Sequence, residues 1–271
     1  MYSALILTLN EERALPGCLA SLHGCDDLVV LDSGSTDGTA TIAAAAGARV
    51  YTRPFDTFAG QRNYAQRAIE FRHPWVFHLD ADERMTPALD AECRRASQRL
   101  DLDGLRSAPR MIFEGRWIRH CTDYPAYQAR FVRAPQFEFV QVGHGQREAP
   151  GMRLGTLEEG YLHDLSIYGK DAWLAKHRGY ARAEALAATA GGASLRALLS
   201  GDPLARRRAL KRLSFAFPLR PALRFAYQYG LRGGFLDGGP GLRYCLLLAR
   251  YEGFIEEEIA KLKAPGRRDR Q

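Results

Sequence analysis

Asp80 and Asp82 close the run Trp75-Val76-Phe77-His78-Leu79, which is apolar but for one histidine and begins just after Pro74. In extended backbone, side chains two apart point the same way, so both carboxylates can face one site where the strand ends. Two carboxylates at the carboxyl edge of a parallel sheet suit a hard divalent cation that also holds phosphate oxygens. Thr86-Pro87 reads as a helix N-cap followed by the first helical residue, so an ordinary strand-to-helix turn is the competing account.

Asp32 is the second candidate. It ends the apolar run Leu28-Val29-Val30-Leu31 and opens Asp32-Ser33-Gly34-Ser35-Thr36-Asp37-Gly38. That loop has neither the Gly-x-x-x-x-Gly-Lys of a P-loop nor the Gly-x-Gly-x-x-Gly of a dinucleotide site. A carboxylate there repels phosphate but accepts hydrogen bonds from a base or ribose. The expected arrangement is a nucleotide held by its base near Asp32, with its diphosphate on a metal near Asp82. Asp37 is expected only to cap the following helix.

The elements that carry these residues repeat a strand–loop–helix pattern. Ala4 to Leu9 reads as a buried strand, Asn10-Glu11-Glu12 as a polar break, and Leu15 to Leu22 as a helix. Leu28 to Leu31 is the next strand, and a helix from about Thr39 to Ala46 stops at Gly47. Alternation of near-continuous apolar strands with helices predicts a parallel, doubly wound α/β sheet, in which ligands sit outside the carboxyl ends of the strands. Three strands then end in Thr8/Asn10/Glu11, Asp32/Ser33 and Asp80/Asp82. Phe58 to Phe71 predicts a further helix, with an apolar stripe through Phe58, Tyr64, Ala65, Ala68, Ile69 and Phe71 that leaves Arg62 out of the core.

Leu7-Thr8-Leu9-Asn10-Glu11-Glu12, Val30 to Asp37 and Leu79-Asp80-Ala81-Asp82-Glu83 together resemble the signature of family 2 glycosyltransferases. Gly60-Gln61-Arg62-Asn63-Tyr64-Ala65 is similar to a block of the lipopolysaccharide-core β-1,4-glucosyltransferase group, as are Leu162-His163, Ala172 to His177 and Gly234 to Gly238. The resemblance is strong over residues 1–90 and patchier from about 100 to 160. It implies a GT-A fold, a mostly parallel doubly wound sheet with a C-terminal helical appendage, a nucleotide-sugar donor and inversion at the anomeric carbon.

Carried over position by position, the resemblance puts Thr8, Glu11 and Asp32 at the nucleoside, and Arg62 at the base and phosphate region. Asp80 would serve the ribose or metal, Asp82 the metal and diphosphate, and His163 would complete the metal site. The cofactor implied is Mg²⁺ or Mn²⁺, acting as Lewis acid on the leaving group. Inverting transfer also needs a group that takes the acceptor hydroxyl's proton. The related group has a His-Glu pair after a strand such as Phe137 to Val142, whereas this chain reads Gly143-His144-Gly145-Gln146-Arg147-Glu148. Glu148 is the expected base, with His144 next and Asp123 third.

At 271 residues and 46% hydrophobic, the chain can bury an α/β core plus a smaller helical unit. The expected division is a catalytic domain over 1–170, a basic membrane-facing appendage over 171–264 and a disordered tail over 265–271. The five cysteines lack metal spacing, and the first strand begins without a basic leader or an apolar run of membrane-spanning length, so a cytoplasmic protein is expected. The net charge of +7 is concentrated: Arg196 to Arg232 carries nine Lys/Arg against one acidic residue, Asp202, interleaved with leucines and aromatics. Such a pattern reads as a membrane-surface element, and the absence of any nucleic-acid motif ranks nucleic acid low.

The expected function is transfer of a hexose, glucose in the first place, from a UDP-sugar to a lipid-linked acceptor such as lipopolysaccharide core, at the inner face of the cell membrane. The alternatives are a nucleotidyltransferase of similar topology, which the acidic Asn10-Glu11-Glu12 loop disfavours, and a membrane-surface protein with a decayed site.

Overall fold

The computed structural model describes residues 1–142, 145–189, 201, 206, 209 and 219–263. They divide into two compact units, Met1–Ile112 with Asp123–Ile167, and Phe113–Thr122 with Tyr168–Gln271.

In the first unit, β1 (Ser3–Thr8), β2 (Leu28–Asp32), β3 (Arg49–Thr52) and β4 (Trp75–Asp80) run parallel. The helices α1 (Leu15–Ser21), α2 (Thr39–Ala45) and α3 (Phe58–Ala68) connect them. After β5 (Glu83–Arg84) and α4 (Pro87–Ala96) come the short strands β6 (Gly104–Ser107) and β7 (Arg110–Phe113), while β8 (Arg116–Trp117) belongs to the second unit. Then follow β9 (Gln128–Arg133), β10 (Phe139–Val142), β11 (Gly145–Glu148), β12 (Leu154–Thr156) and β13 (Leu162–Asp164). The main sheet has the order β12-β6-β9-β4-β1-β2-β3, with β9 antiparallel to both of its neighbours. β10 and β11 form a separate antiparallel hairpin, and β13 pairs with β5 and β7.

The strands form where the apolar runs are, because both faces of this sheet are covered: Trp75 through Leu79 are all buried. Leu5, Val29, Leu31 and Val76 pack against Ala65 and Ile69 of the α3 segment. Thr86 caps α4 by accepting from Leu89 N–H at 3.2 Å, with Pro87 in the first turn, as the sequence predicts.

The predicted stripe of α3 is corrected. Phe58 and Tyr64 are 40% and 38% exposed, and the inward face is Ala59, Gln61, Arg62, Ala65 and Gln66. Ala65 and Ile69 of the stripe are buried as expected, but Gln61, Arg62 and Gln66 on the inward face lower its apolar periodicity, so the pattern placed Phe58 and Tyr64 on the wrong side. The predicted strand from Phe137 also begins two residues later, at Phe139.

The second unit contains α5 (Gly169–Thr189), α6 (Arg220–Phe225), a π-helical segment over Ala226–Leu231, a 3₁₀ turn over Gly234–Asp237 and α7 (Gly238–Lys263). Ala181 and Ala185 pack on Phe254, Ile255 and Ile259. Gly238-Gly239-Pro240-Gly241, predicted as a break ahead of a helix starting at Leu242, is instead the first turn of α7. Proline is tolerated in a first turn, where its missing N–H has no intrahelical acceptor to reach. The predicted tail 265–271 and most of the basic stretch, including Arg207, Arg208, Lys211 and Arg212, lie outside the described residues.

Candidate active site

Register alone brings the first residues together. Thr8 is the Cα partner of Asp32 across β1 and β2, and Leu7 is the partner of Asp80 across β1 and β4. Three neighbouring parallel strands therefore end at one edge with their polar residues side by side.

Thr8 Oγ1 donates to Asp32 Oδ1 at 2.8 Å, and both residues are buried. The other carboxylate oxygen accepts from Gly34 N–H at 3.0 Å and Ser35 N–H at 2.7 Å. This turn needs Gly34 at φ +95°, a conformation natural to glycine. Burial acts to raise the Asp32 pKa, but Ser35, Thr8 and Gly34 hold it below the ordinary carboxylate value. Asn10, at φ +57°, ties the loop after β1 to the loop after β2: its N–H donates to Ser35 Oγ at 2.8 Å, and its Oδ1 accepts from Thr36 N–H at 2.9 Å. Glu11 N–H donates to Thr39 Oγ1 at 2.8 Å in the same seam. Asp37 accepts from Thr39 N–H at 3.0 Å at the start of α2, the local role predicted for it.

Asp80 lies in a different setting. Arg62 Nη2 donates to its Oδ1 at 2.8 Å and Arg130 Nη2 to its Oδ2 at 3.3 Å. Arg130 also donates to Glu83 Oε1 at 2.7 Å and, through Nε, to Tyr161 Oη at 3.2 Å. Burial acts to raise Asp80, yet Arg130 and Arg62 hold it down at about 2. Glu83 is fully buried and moves the other way, to about 7, because burial, Asp80 and Asp82 outweigh Arg130. Arg62 is 1% exposed, and burial lowers its pKa to about 10. Its Nε and Nη1 have no hydrogen-bond partner among the described residues, which leaves two buried donors for an anion.

Asp82 and His163 form the third group, with Nε2 3.3 Å from Oδ2. Burial acts to lower the imidazole, but Asp82, Glu83 and Asp80 carry it up to about 9. A carboxylate oxygen beside an imidazole nitrogen, both about a quarter exposed, fits a divalent cation completed by phosphate oxygens. Asp80 fits such a cation less well, since arginines engage both of its oxygens. Among the described residues no three His, Cys, Asp or Glu side chains form a preassembled metal cluster.

Arg62, Asp80, Glu83, Arg130, His163 and Glu148 all line one cavity of about 780 Å³, whose walls include Phe58, Arg106, Tyr127, Phe139 and Arg147. Glu148 is ion-paired with Arg106 across the cavity wall, while Arg153 pairs with Asp103 at 2.7 Å. Burial acts to raise Glu148, but backbone hydrogen bonding and Arg106 bring it below the ordinary glutamate value. Thr8, Glu11 and Asp32 belong to the strand edge and not to the cavity wall, and Asp123 is exposed and does not line that wall. His144 lies outside the described residues. His78 is fully buried edge-on to Phe139, with its pKa well below normal through burial.

Arg130, Glu83 and Arg106 were not singled out from the sequence. Arg130 carried a signal: an arginine set between Ala129, Phe131 and Val132 in a strand is buried at a cost and needs a carboxylate partner.

The family model of glycosyl transferase family 2 matches residues 3–132. The chain is 44% identical over 92 residues to the lipopolysaccharide core biosynthesis glycosyltransferase LpsC of Rhizobium meliloti, a match covering 32% of this chain and 33% of that protein. The chain thus spans only about a third of the length of this relative. It is 48% identical over 167 residues to the uncharacterized glycosyltransferase Mb0553 of Mycobacterium bovis, covering 59% of this chain and 74% of that one. Among solved structures, the mannosyltransferase PcManGT of Pyrobaculum calidifontis, in complex with GDP-Man and Mn²⁺, aligns over 97% of this chain and 88% of its own at a TM-score of 0.50 and 16% identity. Together with the mostly parallel sheet, that likeness identifies the fold as GT-A.

Proposed function

The chain belongs to glycosyl transferase family 2, and from that premise we propose that it transfers a hexose, glucose in the first place, from UDP to a lipid-linked saccharide with inversion at the anomeric carbon. One observation carries this reading: the Asp82–His163 pair, the two unpaired donors of Arg62 and the Glu148 carboxylate all line or border one cavity at the strand edge that ends in Thr8 and Asp32. A diphosphate, a cation and an acceptor hydroxyl have places there with opposite chemical demands.

In the proposed division of labour, Thr8, Glu11 and Asp32 hold the nucleoside, and Asp80 aligns Arg62 with the diphosphate. Asp82 and His163 would hold a divalent cation, which when bound neutralises charge on the departing diphosphate. Glu148 takes the proton as the acceptor oxygen bonds to the anomeric carbon and the bond from that carbon to the diphosphate breaks. Electrons stay balanced: the acceptor oxygen donates the pair, and the diphosphate leaves with one. Arg106 keeps Glu148 ionised and aimed.

The lipid acceptor is supported by the likeness to a lipopolysaccharide core glycosyltransferase and by the basic composition of residues 196–232. No helix among the described residues is long and apolar enough to cross a membrane. Peripheral attachment to the inner membrane face is therefore the form of membrane association proposed. Incubation with UDP-glucose, other UDP-sugars and GDP-mannose, with Mg²⁺, Mn²⁺ or chelator, tests the reading through nucleotide release. Release from a single donor class, dependent on metal and on a saccharide acceptor, is expected. Release from none of them would remove it.

A further inference from the structure

The segment from Leu219 to Leu236 is built inside out. Arg220 is buried and paired with Glu252 of α7, and Gln228 is buried with its Nε2 donating to Cys121 C=O at 2.6 Å. The outward positions are apolar instead: Leu219, Leu223, Tyr227 and Leu231 recur every four residues at 72%, 56%, 44% and 81% exposure. Ala222, Ala226 and Gly230 lie beside them and are also exposed. Phe235 and Leu236 extend the face at 53% and 54% exposure. A water-facing helix has the opposite pattern, with its polar side outward. Single exposed leucines are ordinary, but a contiguous face of this kind marks an interaction surface.

The charge around the face selects its partner. Arg220 is neutralised by Glu252, so the arginines left to flank the face between 219 and 236 are Arg224 and Arg232, with no acidic residue in that segment, and the wider span 196–232 carries nine cations against Asp202 alone. Leucines to enter the acyl boundary, a tyrosine and a phenylalanine at headgroup depth, and flanking arginines for lipid phosphates are the chemistry of an element lying in the interface plane. We propose that Leu219, Leu223, Tyr227, Leu231 and Phe235 form the face by which this protein docks on an anionic lipid bilayer. It deepens the reading of a lipid-linked acceptor and rests on it, but shares no residue with the cavity.

Co-sedimentation of the full chain with vesicles of phosphatidylethanolamine and phosphatidylglycerol, and with phosphatidylcholine vesicles, tests this without any donor sugar. Wild type is expected to pellet with the anionic vesicles, and L223D/L231D to bind them about a hundredfold more weakly, since burial of each leucine is worth roughly a factor of ten. Raised salt should weaken binding without abolishing it, because only the arginine contribution is screened. L223D/L231D should keep wild-type donor turnover with a short soluble acceptor. If L223D/L231D loses its helical circular dichroism, L223S/L231S carries the comparison. Equal pelleting of variant and wild type, no pelleting of wild type, or a loss of self-association in the variant with vesicle binding intact would each overturn the proposal. Vesicle binding without sugar transfer would leave the docking face standing and remove the transferase reading; transfer without vesicle binding would do the reverse.

Discussion

Arg62 Nη2 lies 2.8 Å from Asp80 Oδ1, joining a fully buried guanidinium on α3 to the carboxylate at the end of β4. The bond fixes two elements of the site at once and spends only one of the arginine's three nitrogens. R62M removes the cation and leaves Asp80 held by Arg130 alone at 3.3 Å. Loss of about 2–3 kcal/mol in stability is expected, below the range for a fully buried pair because Asp80 is 31% exposed. R62K should recover part of the stability but not nucleotide affinity, since a lysine lacks the fork. Urea unfolding and nucleotide titration of the two variants check this; R62K with wild-type nucleotide affinity would exclude Arg62 as a phosphate ligand.

At Asp32, D32N replaces an acceptor with an amide that turns two hydrogens toward donors. Gly34 N–H, Ser35 N–H and Thr8 Oγ1 then lack part of their acceptor. Destabilisation of about 1–3 kcal/mol is expected, with weaker nucleoside binding and an unchanged metal requirement. Thermal unfolding and titration with free nucleoside separate the two effects. An unaltered nucleoside affinity would reduce Asp32 to a loop-forming residue.

Glu148 gives a pH prediction. Its pKa is held below the ordinary glutamate value, so the base is ionised throughout the neutral range and its activity falls only on the acid side. E148Q should cut turnover by about 10²–10⁴ with donor affinity near wild type. R106Q removes the cation paired with the carboxylate, so the acid limb of kcat/KM should move to higher pH. A pH–rate profile of R106Q that superimposes on wild type would mean that Glu148 is not the titrating base.

The α/β sheet was legible because both of its faces are covered, so β1, β2 and β4 are continuous apolar runs whose ends name the site residues. Asp80, Asp82 and His163 could be paired in advance only through the resemblance, since 81 residues of chain separate β4 from β13. Arg62 was misjudged for a physical reason: an arginine on the inward face of α3 weakens the very periodicity by which that face is found. Arg130 and Arg106 escaped because their partners, Glu83 and Glu148, lie far along the chain. The stretch from Arg196 to Arg232 reads as a membrane-surface element from its composition, but which of its leucines and aromatics face outward was not legible, because only exposure distinguishes a membrane face from a core face.

Calorimetric titration of UDP into wild type and D82N, with Mn²⁺ and with chelator, tests most directly that Asp82 and His163 form the cation site of a nucleotide-sugar enzyme. Wild type should bind UDP at least about tenfold more tightly with Mn²⁺, a difference of about 1.4 kcal/mol. D82N should bind UDP with the same modest affinity in either condition, and H163A should fall between them. UDP affinity in wild type that is indifferent to the metal, or a metal effect that survives intact in D82N, would contradict it.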